Sequence, residues 1–473
     1  MKITVLSDNT SLNQLQSEWG LSFFIEANGK KILLDTGGSD KFIGNAAALG
    51  IDIADVDYAV LSHAHYDHSR GMKAFFEANT TAPFYISPNA AENCYAGWKF
   101  ASRYIGMPKG ILAAYAPRIH RPEGIFEISE GVFIVPHSTQ GLESAGRKSH
   151  MYVKRGWRYY PDSYAHEQSL VIRSEEGLVV LNSCSHSGAD VIVAEVLRTF
   201  PGEKVTTYIG GLHLFRLNDK EIKAIGEKLL ACGIRRIYTG HCTGDRAFSI
   251  LAGQMGGTIG QFHCGMVIYP GMMSYIEDTI FPKYQSFDPA HRIDHVRYVV
   301  ETALSLSRYY DVNRGMVAMA AACHDLGLCG DRKTHHLVSG RIIREDGELR
   351  KWFSPEQIET IAQAAEDHRA SSDHEPRSIY GRIVAEADRQ IIPEKVIRRT
   401  IQFGLEHYPE LDREGHWERT VEHLEDKYAE GGYLKLWIPE STNAVRLGEL
   451  REIIRDRGEL RSIFERIYSE ETR

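Results

Sequence analysis

Eight consecutive residues, Leu61-Ser62-His63-Ala64-His65-Tyr66-Asp67-His68, constrain this chain more than any other stretch. Three histidines and an aspartate crowd into the last six of them, with no apolar alternation that would let them serve as core packing. They follow the apolar run from Asp57 to Leu61, which reads as a buried strand. Gly71 and a helical segment from Met72 to Ala78 come after them. A strand end that delivers imidazoles and a carboxylate into a loop suits a divalent ion such as zinc or iron, because those are the ligands such ions take.

The residues before this run read as strands with tight turns. Ile3 to Leu6, Leu21 to Ala27 and Lys31 to Leu34 are β-like, and Asn28-Gly29 is a hairpin signal. Asp35-Thr36-Gly37-Gly38 ends the third strand, and Phe42 to Leu49 has helical spacing. Asp35 is placed to orient a metal ligand, or is an ordinary turn aspartate. From about Phe84 to Tyr164 the pattern loosens and aromatic and basic residues crowd together. Trp98-Lys99-Phe100, Arg103-Tyr104, Arg118 to Arg121 and Lys154 to Arg158 read as an insertion beside the site. It could offer cations and stacking faces to an anionic, ring-bearing ligand, or be a solvated loop surface.

Order returns with the strands Gln168 to Ile172 and Gly177 to Leu181, the second ending in Asn182-Ser183-Cys184-Ser185-His186-Ser187-Gly188. A helix from Ala189 to Phe200 follows, then a strand from Thr206 to Ile209 running into Gly210-Gly211-Leu212-His213. After a helix from Asp219 to Ala231, the strand Arg235 to Tyr238 runs into Thr239-Gly240-His241-Cys242-Thr243-Gly244. Three apolar strands thus end in glycine and histidine, so several strand ends converge on one rim.

Together, HAHYDH, CSHSG, GGLHL and GHCTG resemble a subgroup of metallo-β-lactamase-fold hydrolases that includes dihydropterin ribofuranosyl-aminobenzene-phosphate synthases, over about residues 1 to 270. The resemblance implies an αββα sandwich with a dinuclear centre of zinc or iron on its rim. It gives His63, His65 and His186 to one metal, and Asp67, His68 and His241 to the other, with Asp67 also a catalytic carboxylate. Most of the superfamily carries a bridging aspartate where this chain has Cys184. Either Cys184 substitutes as a thiolate or His186 takes over, and His166, Cys184 and His213 remain open as metal or substrate contacts.

The strand-rich pattern stops near Tyr269-Pro270-Gly271, and a boundary falls between about 272 and 288. Beyond it the chain is helical, and a second polar set appears: His295, Cys323-His324-Asp325-Leu326-Gly327, His335-His336, Glu366-Asp367-His368-Arg369 and Asp388. His324 and Asp325 follow Met316 to Cys323, a helix small and apolar enough to be fully buried. A buried carboxylate there is costly unless it is paired or binds metal.

This set resembles the HD superfamily of metal-dependent phosphohydrolases, over about residues 288 to 390. The resemblance implies His295, His324, Asp325 and Asp388 as the basic ligands of iron, manganese or magnesium, with Asp325 catalytic and bridging. His336 and His368 match the two extra histidines of dinuclear members, with His335 competing for the place of His336. Glu366, Asp367, Arg369 and Arg377 read as surface charge or as phosphate contacts. From Pro393 to Arg473 the chain is helical and highly charged. Spacing such as Leu447, Leu450, Ile453 and Ile454 suits packing on the HD core or self-association into a homo-oligomer.

The expected organisation is residues 1–275 as the metallo-β-lactamase-like domain, 285–395 as an all-helical HD core and 396–473 as a helical extension. The expected function is that of a bifunctional hydrolase with two divalent metals per domain. The HD half would hydrolyse a phosphomonoester or phosphodiester, and the first half would process a small anionic, phosphate- or pterin-bearing substrate. The alternative is that one domain has become a ligand sensor controlling the other. A net charge of −8 leaves no basic footprint for nucleic acid. No apolar run is long enough for a membrane span. Seven cysteines without a CxxC pair suit a reducing cytoplasm rather than a disulfide framework.

Overall fold

Asn28 and Gly29 both take positive φ, 50° and 72°, the turn that lets strands Ser22–Ala27 and Lys30–Leu34 pair as a two-residue hairpin. That hairpin lies inside the first of two seven-stranded sheets. The computed structural model describes residues 1–11, 14–97, 102–288, 291–370 and 374–472. The chain divides at Ser274/Tyr275 into two units.

In the first unit, alternation along each strand sorts side chains onto two faces. Ile3, Val5, Phe23, Ile25, Ile32 and Leu34 meet Val132, Ile134, Leu170, Ile172, Val179 and Leu181 of the second sheet in one buried core. The intervening residues Leu6, Phe24 and Leu33 pack outward against Phe42, Ala46, Met72 and Phe75 of helices Lys41–Ala48 and Met72–Ala78. Val171, Leu178 and Val180 do the same against helices Ala189–Thr199, Asp219–Ala231 and Asp245–Met255. The result is an αββα sandwich.

The stretch from 84 to 164 is only partly an insertion. Phe84–Tyr85 joins the first sheet, and Val132–Pro136 pairs with Gln168–Ser174 in the second, one strand in from its edge. A separate four-stranded sheet is made by Cys94–Ala96, Arg103–Tyr104, Met151–Arg155 and Arg158–Pro161. Trp98, Lys99 and Phe100 lie outside the described residues. Arg118 and Arg121 do not face a ligand; they donate to the carbonyls of Asn79 and Ala82 and of Pro88 and Ala90.

The second unit is helical. Every residue from Gly315 to Cys323 in helix Arg314–Cys323 is buried, surrounded by helices Ile293–Leu306, Pro355–Glu366 and Ile379–Asp388. Residues 275–288, expected as boundary, pack onto this core. Tyr284 is fully buried, donates to the Ala322 carbonyl at 2.8 Å and accepts the Asp325 N–H at 3.3 Å. The extension builds a core of its own from Val396, Ile401, Leu424, Leu450, Phe464 and neighbours.

Because each unit owns its cores, residues 1–274 and 275–473 expressed separately are expected to fold. Calorimetry should give a cooperative transition for each fragment; broad, non-cooperative melting of both would refute the division. A fragment starting at 285 is expected to melt lower than one starting at 275, since it loses Tyr284.

Candidate metal centres

Three neighbouring parallel strands, Gly177–Leu181, Val205–Ile209 and Arg236–Thr239, end on the same rim as the strand Tyr58–Val60 that leads to His63. The crossing loops are tight. A Cβ on Gly211 would lie 2.5 Å from Cys242 Sγ and 2.8 Å from the Ser183 carbonyl oxygen. Asp35, Ser185, His213 and His241 all take positive φ, strain that non-glycine residues bear only where surrounding structure fixes them.

His63, His65 and His186 come together. His186 Nε2 lies 3.1 Å from His65 Nδ1 and 3.3 Å from His63 Nε2. Burial, reinforced by neighbouring imidazoles, holds His63 and His186 well below the usual histidine value and His65 down at about 3. Three neutral rings therefore bring one nitrogen each to a common point. Beside them, Asp67 sits 4.0 Å from His68 Nε2 and 3.6 Å from His241 Nε2. Burial opposes a charge on either partner, yet His68 and His241 hold the Asp67 carboxyl low, and Asp67 with Cys242 and Asp8 raises His241 to about 9. The proton on His241 supplies the positive charge that a metal would displace.

Cys184 lies between the two groups. Its Sγ is 3.2 Å from His68 Nε2 and 3.4 Å from Cys242 Sγ, and it shares ligand-distance clusters with His63 and His68, with His186 and His213, and with His241 and Cys242. Of the two open alternatives at this position, His186 lies within the first histidine group and the Cys184 sulfur lies between the two groups. Burial pushes the Cys184 thiol up, whereas Cys184, His213 and His241 together hold Cys242 toward thiolate against its burial. His213 lies against His186, ring centroids 4.2 Å apart. His166 is set back. Its ring accepts the Ala64 N–H and contacts Asp162 at 3.0 Å, so it braces the loop behind His65.

Supporting groups fix these ligands. Asp35, fully buried, accepts from His68 Nδ1 at 2.8 Å and from Ser62 N–H and Oγ–H, both at 2.6 Å, which leaves His68 Nε2 to face the centre. Sequence reasoning missed four others. Trp19 Nε1–H donates to Asp67 Oδ2 at 2.8 Å. Asp8 and Asn9 grip His241 through its N–H and Nδ1. Their signal was available: Asp8-Asn9 ends the first strand as Asp35 ends the third. Glu167 accepts the His186 and Ser187 N–H groups.

Glu167 is itself held by His137, which lies 2.7 Å from Glu167 and 2.8 Å from Glu195. Burial opposes a charged ring, but the two carboxylates raise His137 to about 9, and Glu195 is held down at about 2. A raised histidine stabilises the fold fully below its ordinary value of 6.5, and that contribution is lost as pH rises through about 9. The depressed Glu195 contributes above its ordinary 4.5 and is lost as pH falls toward about 2. Unfolding residues 1–274 in urea is expected to show a stability loss on the order of 3 kcal/mol between pH 6 and 10. His241, also raised to about 9, adds to the same loss, so His137→Gln should make the slope shallower without abolishing it; an unchanged slope would count against the buried pair.

A cavity of about 520 Å³ opens over this rim, walled by Trp19, Tyr66, Phe215, Arg103 and Arg216 among others. Of the basic clusters expected to face a ligand, Arg103 does so; Arg216 was not foreseen.

In the helical unit, three histidines use one device. His324, His335 and His368 each direct Nδ1 at the carbonyl three residues earlier, Ala321, Arg332 and Ala365, at 2.6–2.7 Å, so each presents Nε2. Asp325 Oδ1 is 3.3 Å from both His335 and His368 Nε2. Its Oδ2 is 3.2 Å from His324 Nε2 and 3.7 Å from His295 Nε2. Asp388 closes the second group, 3.2 Å from His295. His335, not His336, occupies the sixth place. Successive helical residues point about 100° apart, and in helix His335–Glu345 it is the first that faces Asp325, while His336 is half-buried with Nδ1 unpartnered. Gly327 permits the approach, since a Cβ there would lie 1.9 Å from the His335 carbonyl oxygen. Glu366 and Asp367 instead pair with Arg344 and Arg377.

The donor sets fit divalent metals. Buried His65 Nε2, His241 Nε2, His295 Nε2 and His324 Nε2 find no hydrogen-bond partner, and His335 and His368, whose Nδ1 groups are spent on carbonyls, face each other through Nε2 at 3.1 Å. No helix among the described residues is long and apolar enough to cross a membrane.

Comparison with known proteins agrees with this geometry. Residues 20–151 match the family model of the metallo-beta-lactamase superfamily, and residues 292–390 that of the HD domain. The chain is 28% identical, over 268 residues, to the 7,8-dihydropterin-6-methyl-4-(beta-D-ribofuranosyl)-aminobenzene-5'-phosphate synthase of Methanocaldococcus jannaschii, covering 53% of this chain and 90% of that one. It is 31% identical to a crystallised metal-dependent hydrolase of the beta-lactamase superfamily, Tm1679, with a TM-score of 0.50, covering 57% of this chain and 98% of that one. A shorter match, 30% over 116 residues, is to the anaerobic nitric oxide reductase flavorubredoxin of Aliivibrio fischeri, covering 22% of this chain and 23% of that protein.

Proposed function

Since the chain belongs to the metallo-β-lactamase superfamily through its first half and matches the HD domain in its second, we propose that it is a bifunctional dinuclear metallohydrolase whose helical unit cleaves a phosphoester. The observation that carries this reading is Asp325. One carboxylate turns each of its oxygens to a different imidazole group, His335 with His368 and His295 with His324. When bound, a metal pair supplies an acidified water and Lewis-acid polarisation of the scissile group. Asp325 would face both metals, His324, His335 and His368 keep Nε2 in place through their Nδ1–H bonds, and Asp388 would complete one side. The adjoining cavity, about 260 Å³, brings Arg332, Arg369 and Lys427 to this centre, cations suited to a phosphoryl group.

The first unit would act on a small anionic, ring-bearing substrate. Trp19, Tyr66 and Phe215 offer aromatic faces beside Arg103 and Arg216, and the M. jannaschii relative's name joins a dihydropterin to an aromatic phosphate. His63, His65 and His186 would hold one metal, and Asp67, His68 and His241 the other, with Cys184 between. Zinc or iron suits this mixture of imidazole and thiolate; iron, manganese or magnesium suits the helical centre.

The test is metal analysis of the full chain together with turnover of a panel of phosphomonoesters, phosphodiesters, nucleotides, lactones and thioesters. Phosphoester hydrolysis that disappears on chelation and returns with added metal supports the reading. No turnover of any phosphoester by metal-replete protein would overturn it.

A further inference from the structure

Arg389 is 8% exposed, yet its Nε and Nη1 find no hydrogen-bond partner. A buried guanidinium without an acceptor is costly, and folded proteins seldom keep one without a use. The neighbouring carboxylates are engaged elsewhere. Glu386 accepts from the Trp437 N–H and the Asn443 side chain, and Asp388 lies against His295. Among the described residues no carboxylate pairs with Arg389.

Arg389 lines a small cavity of about 100 Å³. Trp437, whose buried Nε1–H is also unpartnered, lines the same cavity, as do Lys435 and Arg369. Two carboxylates border it, but Asp367 is taken by Arg377 through two hydrogen bonds, and Glu375 lies 3.7 Å from Arg382. Donors therefore exceed acceptors. Lys435 and Trp437 come from the carboxy-terminal extension, beyond the residues matched by the HD family, so the extension adds chemistry that the HD core lacks. The volume suits a single oxyanion and is below that of an ordinary small-molecule pocket.

We propose that this cavity, at the seam between the HD core and the carboxy-terminal extension, is a binding site for a phosphate group. Guanidinium, indole N–H and ammonium are donors without acceptors, which is what a fully ionised tetrahedral oxyanion requires. Arg369 and Tyr433 line both this cavity and the larger one over Asp325. A ligand reaching from one to the other would carry two phosphate groups, one at Arg389 and one at the metal centre. That extension rests on the phosphohydrolase reading above; the phosphate site itself does not.

The experiment titrates full-length, metal-replete protein with inorganic phosphate, and separately with acetate at matched ionic strength, following calorimetric binding and thermal unfolding. Wild type should be protected by phosphate and not by acetate. Arg389→Met keeps the volume and removes the unpaired charge. It should melt no lower than wild type without ligand, and its Arg389-dependent phosphate affinity should fall about tenfold or more. Asp325→Asn should retain that phosphate response even where hydrolysis is lost, which separates this site from the metal centre. Should Arg389→Met fail to fold, Trp437→Phe and Lys435→Met carry the same test, each weakening phosphate. Equal phosphate affinity in wild type and these variants, equal protection by acetate, or loss of the response in Asp325→Asn with retention in Arg389→Met would each overturn the proposal.

Discussion

Asp325→Asn is expected to lower hydrolysis of bis(para-nitrophenyl) phosphate or a nucleotide by about two orders of magnitude or more, the scale of loss at a central electrostatic group. Shape is retained; the charge that faces four imidazoles is not. In the native fold that carboxyl is held well below the usual range, because His324, His335 and His368 surround it despite its burial. The amide cannot span two cations, so the variant should also lose metal from the helical unit. Tyr284 and Ser339 still hold the Asp325 loop through the Asp325 and Gly327 N–H groups, and the thermal transition should survive. His295→Ala should fall in parallel, since its Nε2 serves only this cluster among the described residues. Wild-type turnover in both variants would move catalysis out of the helical unit and leave it a sensor.

His65→Ala is expected to remove about one metal equivalent per chain, from the first unit alone. His65 Nδ1 is one of two nitrogens within 3.3 Å of His186 Nε2, and neither His63 nor His186 is free to reposition. Asp35 holds the neighbouring Ser62 backbone and His68 ring, and Glu167 holds the His186 backbone. A cluster this rigid does not re-form around two imidazoles. Elemental analysis of pure protein should show the loss, while phosphoester turnover by the helical unit continues. Full metal content in His65→Ala would mean that the HAHYDH loop is not a ligand loop.

Both donor clusters were largely legible in the sequence, because each has a contiguous nucleus to which the distant members attach. HAHYDH places four donors on one strand-to-helix turn, and His324-Asp325 ends a helix whose every preceding residue from Gly315 is buried. The αββα layering was legible from the resemblance. The strand Val132–Pro136 was not, since an irregular stretch hides it on both sides. Basic residues at Arg118 and Arg121 misled for a related reason: composition cannot tell a guanidinium that caps backbone carbonyls from one that meets a ligand.

What the sequence determined by itself was which residues share an element: the four ligands of one turn, the alternating faces of each strand, the buried helix that delivers Asp325. Only the tertiary structure decided what meets across elements. It chose His335 over His336, because the start of that helix sets its rotation and one residue turns a side chain by about 100°. It put Cys184 between two ligand groups and His186 within one, although two positions separate them in sequence, because Ser185 takes a left-handed φ of 53° between them. It brought Glu195 to His137, and Trp437 to Arg389, across about 50 residues each. Spacing fixes direction only while the backbone is regular; between elements, packing of apolar faces sets which polar groups are trapped together, and burial then sets their charge.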